Sequence, residues 1–268
     1  MKKILSLVLA AALTLGFAGC SSKNAGGDSK DDKKIVIGAS VTPHKAIIEA
    51  AIPELEAKGY TVDIKVFDDY VLPNTALADG ELDANFFQHI PYLENMAKEK
   101  NLDITWTAKV HIEPLGLYSK AITDLKDLKD GAEIAIPNDA SNGARALKLL
   151  EKAGLIKLKD VESPSKLDIT ENTKNLVITE LDAPQLPRVL EELDGAIINT
   201  NYALEADLNP LKDALFLEDS DSPYANVVAV RTADKDSQKI KDLSAALTSE
   251  AVKKFIEEEF DGSIIPAF

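Results

Sequence analysis

Along most of the chain, short apolar runs alternate with stretches of helical periodicity. KIVIGAS (34–40), VDIKVF (62–67), NFF (85–87), ITWTAKVHI (104–112), EIAIP (133–137), NLVITEL (175–181), AIINT (196–200), ALFLED (214–219) and ANVVAVR (225–231) read as strands. PLGLYS (114–119) is one more apolar run. Between them, PHKAIIEAAIPELEAKG (43–59) is an amphipathic helix, with Pro53 placed to kink or split it. A short helix is expected from Pro73 to about Asp79, and others start near Pro91 and at Arg145. DLKDLKDG (124–131), APQLPRVLEELDG (183–195) and NYALEADL (201–208) also read as helices, and 237–260 as one helix or two. This alternation argues for an α/β architecture with mostly parallel sheets.

The pattern repeats. Residues 67–93 and 178–204 share the order strand, acidic loop, proline-led helix, Leu-Asp-small, strand, polar corner. A constant offset of 111 pairs Asp69 with Glu180, Pro73 with Pro184, Leu82 with Leu193, Asp83 with Asp194 and Leu93 with Leu204. Two similarly built lobes with a cleft between them are expected, and such a cleft is the usual ligand site.

The first residues break the pattern. Lys2 and Lys3 precede an apolar stretch, Ile4–Leu15, too short to span a bilayer comfortably. Phe17-Ala18-Gly19 then leads to Cys20, the only cysteine of the chain. Residues 1–19 therefore read as a cleaved signal. The single cysteine resembles the bacterial lipobox, which implies lipidation at Cys20. Residues 20–33 are rich in Ser, Gly, Asp and Lys without periodicity and read as a flexible tether. One cysteine excludes an internal disulfide, a CxxC zinc site and a second thiol.

The formal net charge of −15 over 268 residues argues against nucleic acid and against electrostatic attachment to anionic lipid. No GxSxG, HExxH, Walker loop or GxGxxG is present. His44, His89 and His111 show no paired spacing, and a three-histidine site would require all of them to converge. Neither catalysis, a metal nor a cofactor is expected.

Chemistry concentrates at strand ends, where open α/β sheets hold ligands. EIAIPNDASNGARALKLL (133–150) reads as strand, polar loop and helix. With NDASNGA as the loop, Arg145 falls in the first helical turn, where the dipole disfavours a cation. A carboxylate shared with the free N–H groups would compensate. The alternative is a solvated arginine, with Asp139, Ser141 or Asn142 as an ordinary N-cap. Tyr70 follows the second strand; Phe86, Phe87, Gln88, His89 and Tyr92 cluster after the third. Asn142, Asn199, Asn201, Tyr224 and Asn226 occupy other corners. Arginine and asparagines suit an amino acid head group, and aromatics with a neutral histidine suit a thioether. Strand alternation also makes one of Phe86 and Phe87 a candidate for plain core.

DYVLPNTALADGELDANFFQHIPYL, EPLGLYS, IPNDASNGARALKLLEKAGLIKL, ELDAPQLPRVL, AIINTNYA, SPYANVVAVR and IIPAF together resemble the methionine-binding (NlpA-type) lipoprotein family over roughly 35–268. The resemblance implies a two-lobed, type II-like periplasmic-binding-protein fold of mixed sheets flanked by helices. Lobe I would comprise 34–112 and 228–268, and lobe II 113–227. It further implies a free amino acid, L- or D-methionine or a close relative, held between the lobes. Arg145 would hold the carboxylate. Asn199 or Asn201, and Asn226, would serve the head group, with Asn142, beside Arg145 in the same stretch, a further candidate for ligand binding. Tyr70, Phe86, Phe87, His89 and Tyr92 would enclose the side chain. The expected partners are the permease and ATPase of an ABC importer. The expected place is the extracytoplasmic face of the cell membrane, held by lipid only. The other readings are a methionine-dipeptide binding protein and an exported enzyme acting on a small peptide.

Overall fold

The computed structural model describes residues 33–219 and 222–268. The signal, Cys20 and all but the last residue of the tether lie outside the described residues. Among those described, no helix is long and apolar enough to cross a membrane.

The chain first builds β1 (Lys34–Ala39), α1 (Ala46–Ala57), β2 (Thr61–Val66), α2 (Leu72–Ala78), β3 (Ala84–His89), α3 (Ile90–Lys100) and β4 (Ile104–Ile112). It crosses to a second sheet with β5 (Gly116–Tyr118), β6 (Glu133–Pro137) and α4 (Ala140–Lys152). A hairpin, β7 (Lys157–Leu158) and β8 (Ile169–Glu171), then β9 (Val177–Leu181), β10 (Gly195–Ile198), α5 (Thr200–Glu205), α6 (Pro210–Asp213) and β11 (Ala214–Leu217) follow. β12 (Ala225–Arg231), α7 (Gln238–Leu247), α8 (Glu250–Phe260) and β13 (Ile265–Pro266) return to the first sheet.

The sheet orders are β13-β4-β12-β3-β1-β2 and β11-β5-β10-β6-β9. In the first, β1 runs parallel to β2 and β3, while β12 is antiparallel to β3 and β4. In the second, β6 runs parallel to β9 and β10, while β5 is antiparallel to β10 and β11. The sheets are thus mixed, which corrects the mostly parallel expectation. Strands that cross between sheets carry no βαβ connection to fix a parallel sense. Helices α1, α7 and α8 pack on the first sheet through Ile47, Leu55, Leu243 and Ile256. Leu147 and Leu150 of α4 belong to the apolar core of the second.

The internal repeat is visible in this order: β12-β3-β1-β2 matches β5-β10-β6-β9, direction by direction. The paired aspartates perform one task. Asp83 accepts from Val36 N at 2.7 Å, and Asp194 accepts from Glu133 N at 2.9 Å. Each fixes the start of the strand that follows it onto its parallel neighbour.

Several expected elements differ. α1 runs through Pro53 without a break. Glu49, whose carbonyl loses its N–H donor, and Pro53 are both exposed, so water can take the donor's place. The chain instead bends before the helix, where Thr42 is extended. Residues 183–191 form tight three-residue turns because Pro184 and Pro187 interrupt α-type bonding. Only Leu125–Asp127 of the charged 124–131 segment is helical. β12 begins at Ala225, so a lobe boundary between 227 and 228 would fall inside that strand.

Candidate functional site

The C-terminal ends of β3, β6 and β10 converge between the sheets. Tyr70, Phe87, Gln88, His89, Tyr92, Glu113, Asn142, Arg145, Asn199, Thr200, Asn201 and Asn226 line one cavity there, of about 330 Å³ including the space at its mouth. Nine of the ten residues expected at the site meet on this wall. Phe86 does not: it is fully buried in the first core, edge-on to His44 and His111. Neighbouring residues of a strand face opposite ways, so only Phe87 reaches the cavity.

α4 begins earlier than the sequence suggested. Asp139 is its N-cap and accepts from Asn142 N at 2.8 Å, so NDASNGA is mostly first turn rather than loop. Gly143 permits this, because a Cβ there would stand 3.0 Å from the carbonyl oxygen of Pro137. Arg145 consequently sits in the second turn, and the dipole end is compensated by Asp139. Arg145 is 3% exposed. Its Nε donates to Glu218 Oε1 at 3.0 Å, and its Nη2 donates to Glu218 Oε2 and, at 2.8 Å, to the carbonyl of Glu113. The Tyr224 ring covers its face at 4.1 Å. Among the described residues, the two hydrogens on Nη1 have no partner.

Asn142 braces the two sheets. Its Oδ1 accepts from His89 Nε2 at 3.1 Å and from Asn199 Nδ2 at 2.8 Å, while its Nδ2 donates to Asp139. His89 Nδ1 accepts from Tyr92 N, which puts the ring proton on Nε2. Burial, reinforced by the Arg145 charge, lowers the His89 pKa to about 3, so the ring is neutral. Tyr70 OH donates to Asn201 Oδ1 at 2.5 Å, and Tyr202 OH to the carbonyl of Asp68 at 3.2 Å. Among the described residues, Asn199 Oδ1 and Asn201 Nδ2 are buried without a hydrogen-bond partner. Buried polar atoms are rarely left so, and both belong to cavity-lining residues.

Glu113 escaped the sequence reading. It lies in the first crossing between the sheets and is 6% exposed. Oε1 accepts from His111 Nε2 at 2.7 Å and faces His44 Nε2 at 3.3 Å; Oε2 accepts from Asn201 N at 3.1 Å. Burial raises its pKa, against the pull of His44 and Arg145. Burial lowers His44 to about 4 and His111 to about 3. The one available signal was an acid within the apolar run VHIEPLGLY.

His44, His111 and Glu113 also form a group whose donor atoms lie within 4.8 Å of one another. Two of the three histidines thus converge, and His89 stays apart. Both Nε2 atoms already reach Glu113, and His44 Nδ1 reaches Ser40 Oγ at 2.7 Å. Hydrogen bonding accounts for the arrangement without an ion.

The cavity therefore offers a cation, a carboxylate, unpartnered amide atoms and an aromatic wall. The matching relatives fit this chemistry. Residues 35–268 match the family described as NlpA lipoprotein. The methionine-binding lipoprotein MetQ of Bacillus subtilis is 45% identical, covering 95% of this chain and 96% of that protein. The D-methionine-binding lipoprotein MetQ of Salmonella typhi is 43% identical, covering 94% and 93%. A nutrient binding protein from Burkholderia cenocepacia, solved bound to methionine, superposes with a TM-score of 0.85 at 47% identity, covering 87% of this chain and 100% of that one. The chain belongs to the NlpA lipoprotein family.

Proposed function

We propose that this protein is the substrate-binding lipoprotein of an ABC importer for methionine or a close relative. The observation that carries the reading is the pair of opposite charges, Arg145 and Glu113, brought into one buried cavity beside Tyr70, Phe87 and Tyr92. A zwitterionic α-amino acid complements it: carboxylate towards Arg145 Nη1 and Asn201 Nδ2, ammonium towards Glu113 and Asn199 Oδ1. The thioether would then lie among the rings. Binding is a closure equilibrium between lobe I (34–112 with the strands from Ala225 onward) and lobe II. Ligand contacts on both lobes favour the closed form that the permease and its ATPase would recognise. Lipid on Cys20 would hold the protein on the extracytoplasmic face of the membrane. Names of the relatives support transport rather than turnover.

Calorimetry on the soluble domain tests this. Methionine and norleucine should bind and lysine should not, and mass spectrometry should recover the methionine unchanged. Lysine binding above norleucine, or conversion of the ligand, refutes the proposal.

A further inference from the structure

Arg145 is not a free cation waiting for an anion. Glu218, which follows β11 in the second crossing between the sheets, already takes its Nε and one Nη. Glu218 does not line the cavity; it flanks the outer hollow with Ser222, Pro223 and Tyr224. It therefore approaches the guanidinium from behind, leaving Nη1 as the part of Arg145 without a partner among the described residues. The contact is anchored to both crossings. Glu218 N donates to the carbonyl of Leu115 at 2.9 Å, and Leu115 N donates to Glu218 Oε2 at 3.3 Å. Arg145 itself reaches the carbonyl of Glu113 beside them.

Two lining residues carry a formal charge, Arg145 and Glu113, since His89 is neutral. A bidentate carboxylate cancels the first at short range. The second is surrounded by N–H groups from His111, His44 and Asn201, all suited to the ionised form, yet among the described residues no lysine or arginine lies within ion-pair distance of its carboxylate.

We propose that Glu218 is a specificity-determining residue: by neutralising Arg145 it leaves Glu113 as the uncompensated charge, so the cavity selects for a free ammonium more strongly than for a free carboxylate. The inference rests on the amino acid reading above. Nη1 still donates to a carboxylate oxygen, but as it would to any carbonyl oxygen. The ligand class that follows is a small apolar primary amine whose neighbouring oxygen group need not be charged.

Two truncated methionines separate the terms. 3-(Methylthio)propylamine lacks the carboxylate, and 4-(methylthio)butanoic acid lacks the ammonium. Calorimetry on the wild-type protein should find the amine at least about tenfold tighter than the acid. In Glu218→Gln the released Arg145 charge should shift that ratio at least about tenfold towards the acid. A residue that only maintained the fold would weaken both ligands alike, so an unchanged ratio overturns the proposal. So does a wild-type protein that prefers the acid. If Glu218→Gln does not fold, the wild-type preference alone decides. A wild-type protein that binds neither probe nor methionine refutes the underlying reading, whereas methionine binding with the wrong preference refutes only the charge assignment.

Discussion

The cavity has two unlike walls. The wall on the first sheet, Tyr70, Phe87, His89 and Tyr92, is satisfied from within the protein. Tyr92 OH donates to the carbonyl of Tyr70, His89 Nδ1 is taken by Tyr92 N, and the rings meet edge-on or tilted at 5.6 to 6.2 Å. The other wall gathers Asn199, Asn201 and Arg145 from the second sheet and Glu113 from the crossing. Here Asn199 Oδ1 and Asn201 Nδ2 lack partners among the described residues. A wall with its polar atoms occupied can offer only shape and polarisable surface. A wall with polar atoms unpaired offers directional bonds whose absence is costly. Affinity and head-group identity should therefore be set on the second wall, and side-chain preference on the first.

Glu113→Gln gives the largest effect on affinity. It removes the uncompensated charge and keeps the volume. Hydrogen bonds to charged groups contribute about 1.5–3 kcal/mol, so methionine should bind roughly ten- to hundredfold more weakly by calorimetry. Burial raises the Glu113 pKa, so its ionised form is costly in the empty protein. The melting temperature of the empty variant should thus hold or rise. A variant that keeps wild-type affinity removes the distinction between the walls.

Phe87→Ala probes the opposite wall and should act differently. Phe87 is 4% exposed and packs with Tyr92, Met96 and Tyr70. Truncation should weaken methionine by about tenfold through lost apolar contact. It should weaken norleucine by a similar factor and leave the amine-to-acid preference untouched. It should also lower stability by about 3–5 kcal/mol, measured by urea unfolding. A change in head-group preference would show that the walls do not divide the work.

The first wall was largely legible in the sequence, and the second only in part. Aromatics at strand ends are few and stand out, and Asn199, Asn201 and Arg145 lie in polar corners after apolar runs. Hydrophobic periodicity likewise placed most strands, and the offset of 111 anticipated the matched sheets. Glu113 and Glu218 could not be found in this way. The chain carries 45 acidic residues, most of them solvated; an apolar setting is the sole local mark of Glu113, and nothing local ties either residue to the histidines and Arg145 that the chain crossings bring against them. The start of α4 was missed for a related reason. Asn, Ser and Gly favour turns locally, but Asp139 caps them into a helix that packs against the end of β6. Strand direction in β5 and β12 depends on which sheet each joins, and that information is not local either.

The smallest effect concerns protons, and it divides along the same line. His89 braces the first wall to Asn142, while His44 and His111 stand behind Glu113. Burial holds His44 at about 4 and the other two at about 3, all below the ordinary value near 6.5. As pH falls through 6.5, the unfolded chain takes up protons that the folded chain refuses, so stability is lost progressively and the loss is complete only near 3 to 4. Glu113 and Asp139 have raised values and act with the opposite sign, because the folded protein then holds a proton more readily than the unfolded chain. They partly offset the three histidines, whose unfolded value near 6.5 puts their contribution across pH 7.5 to 5.5. The melting temperature of the empty protein should fall across that window. His89→Gln should flatten the slope by about one third, as one of three histidines. Glu113→Gln should instead steepen it slightly towards the acid end, since it removes both the neighbouring charge that favours the charged form of His44 and the acid's own opposing proton uptake. A slope unaffected by His89→Gln would mean that this imidazole titrates freely and does not bind the two walls together.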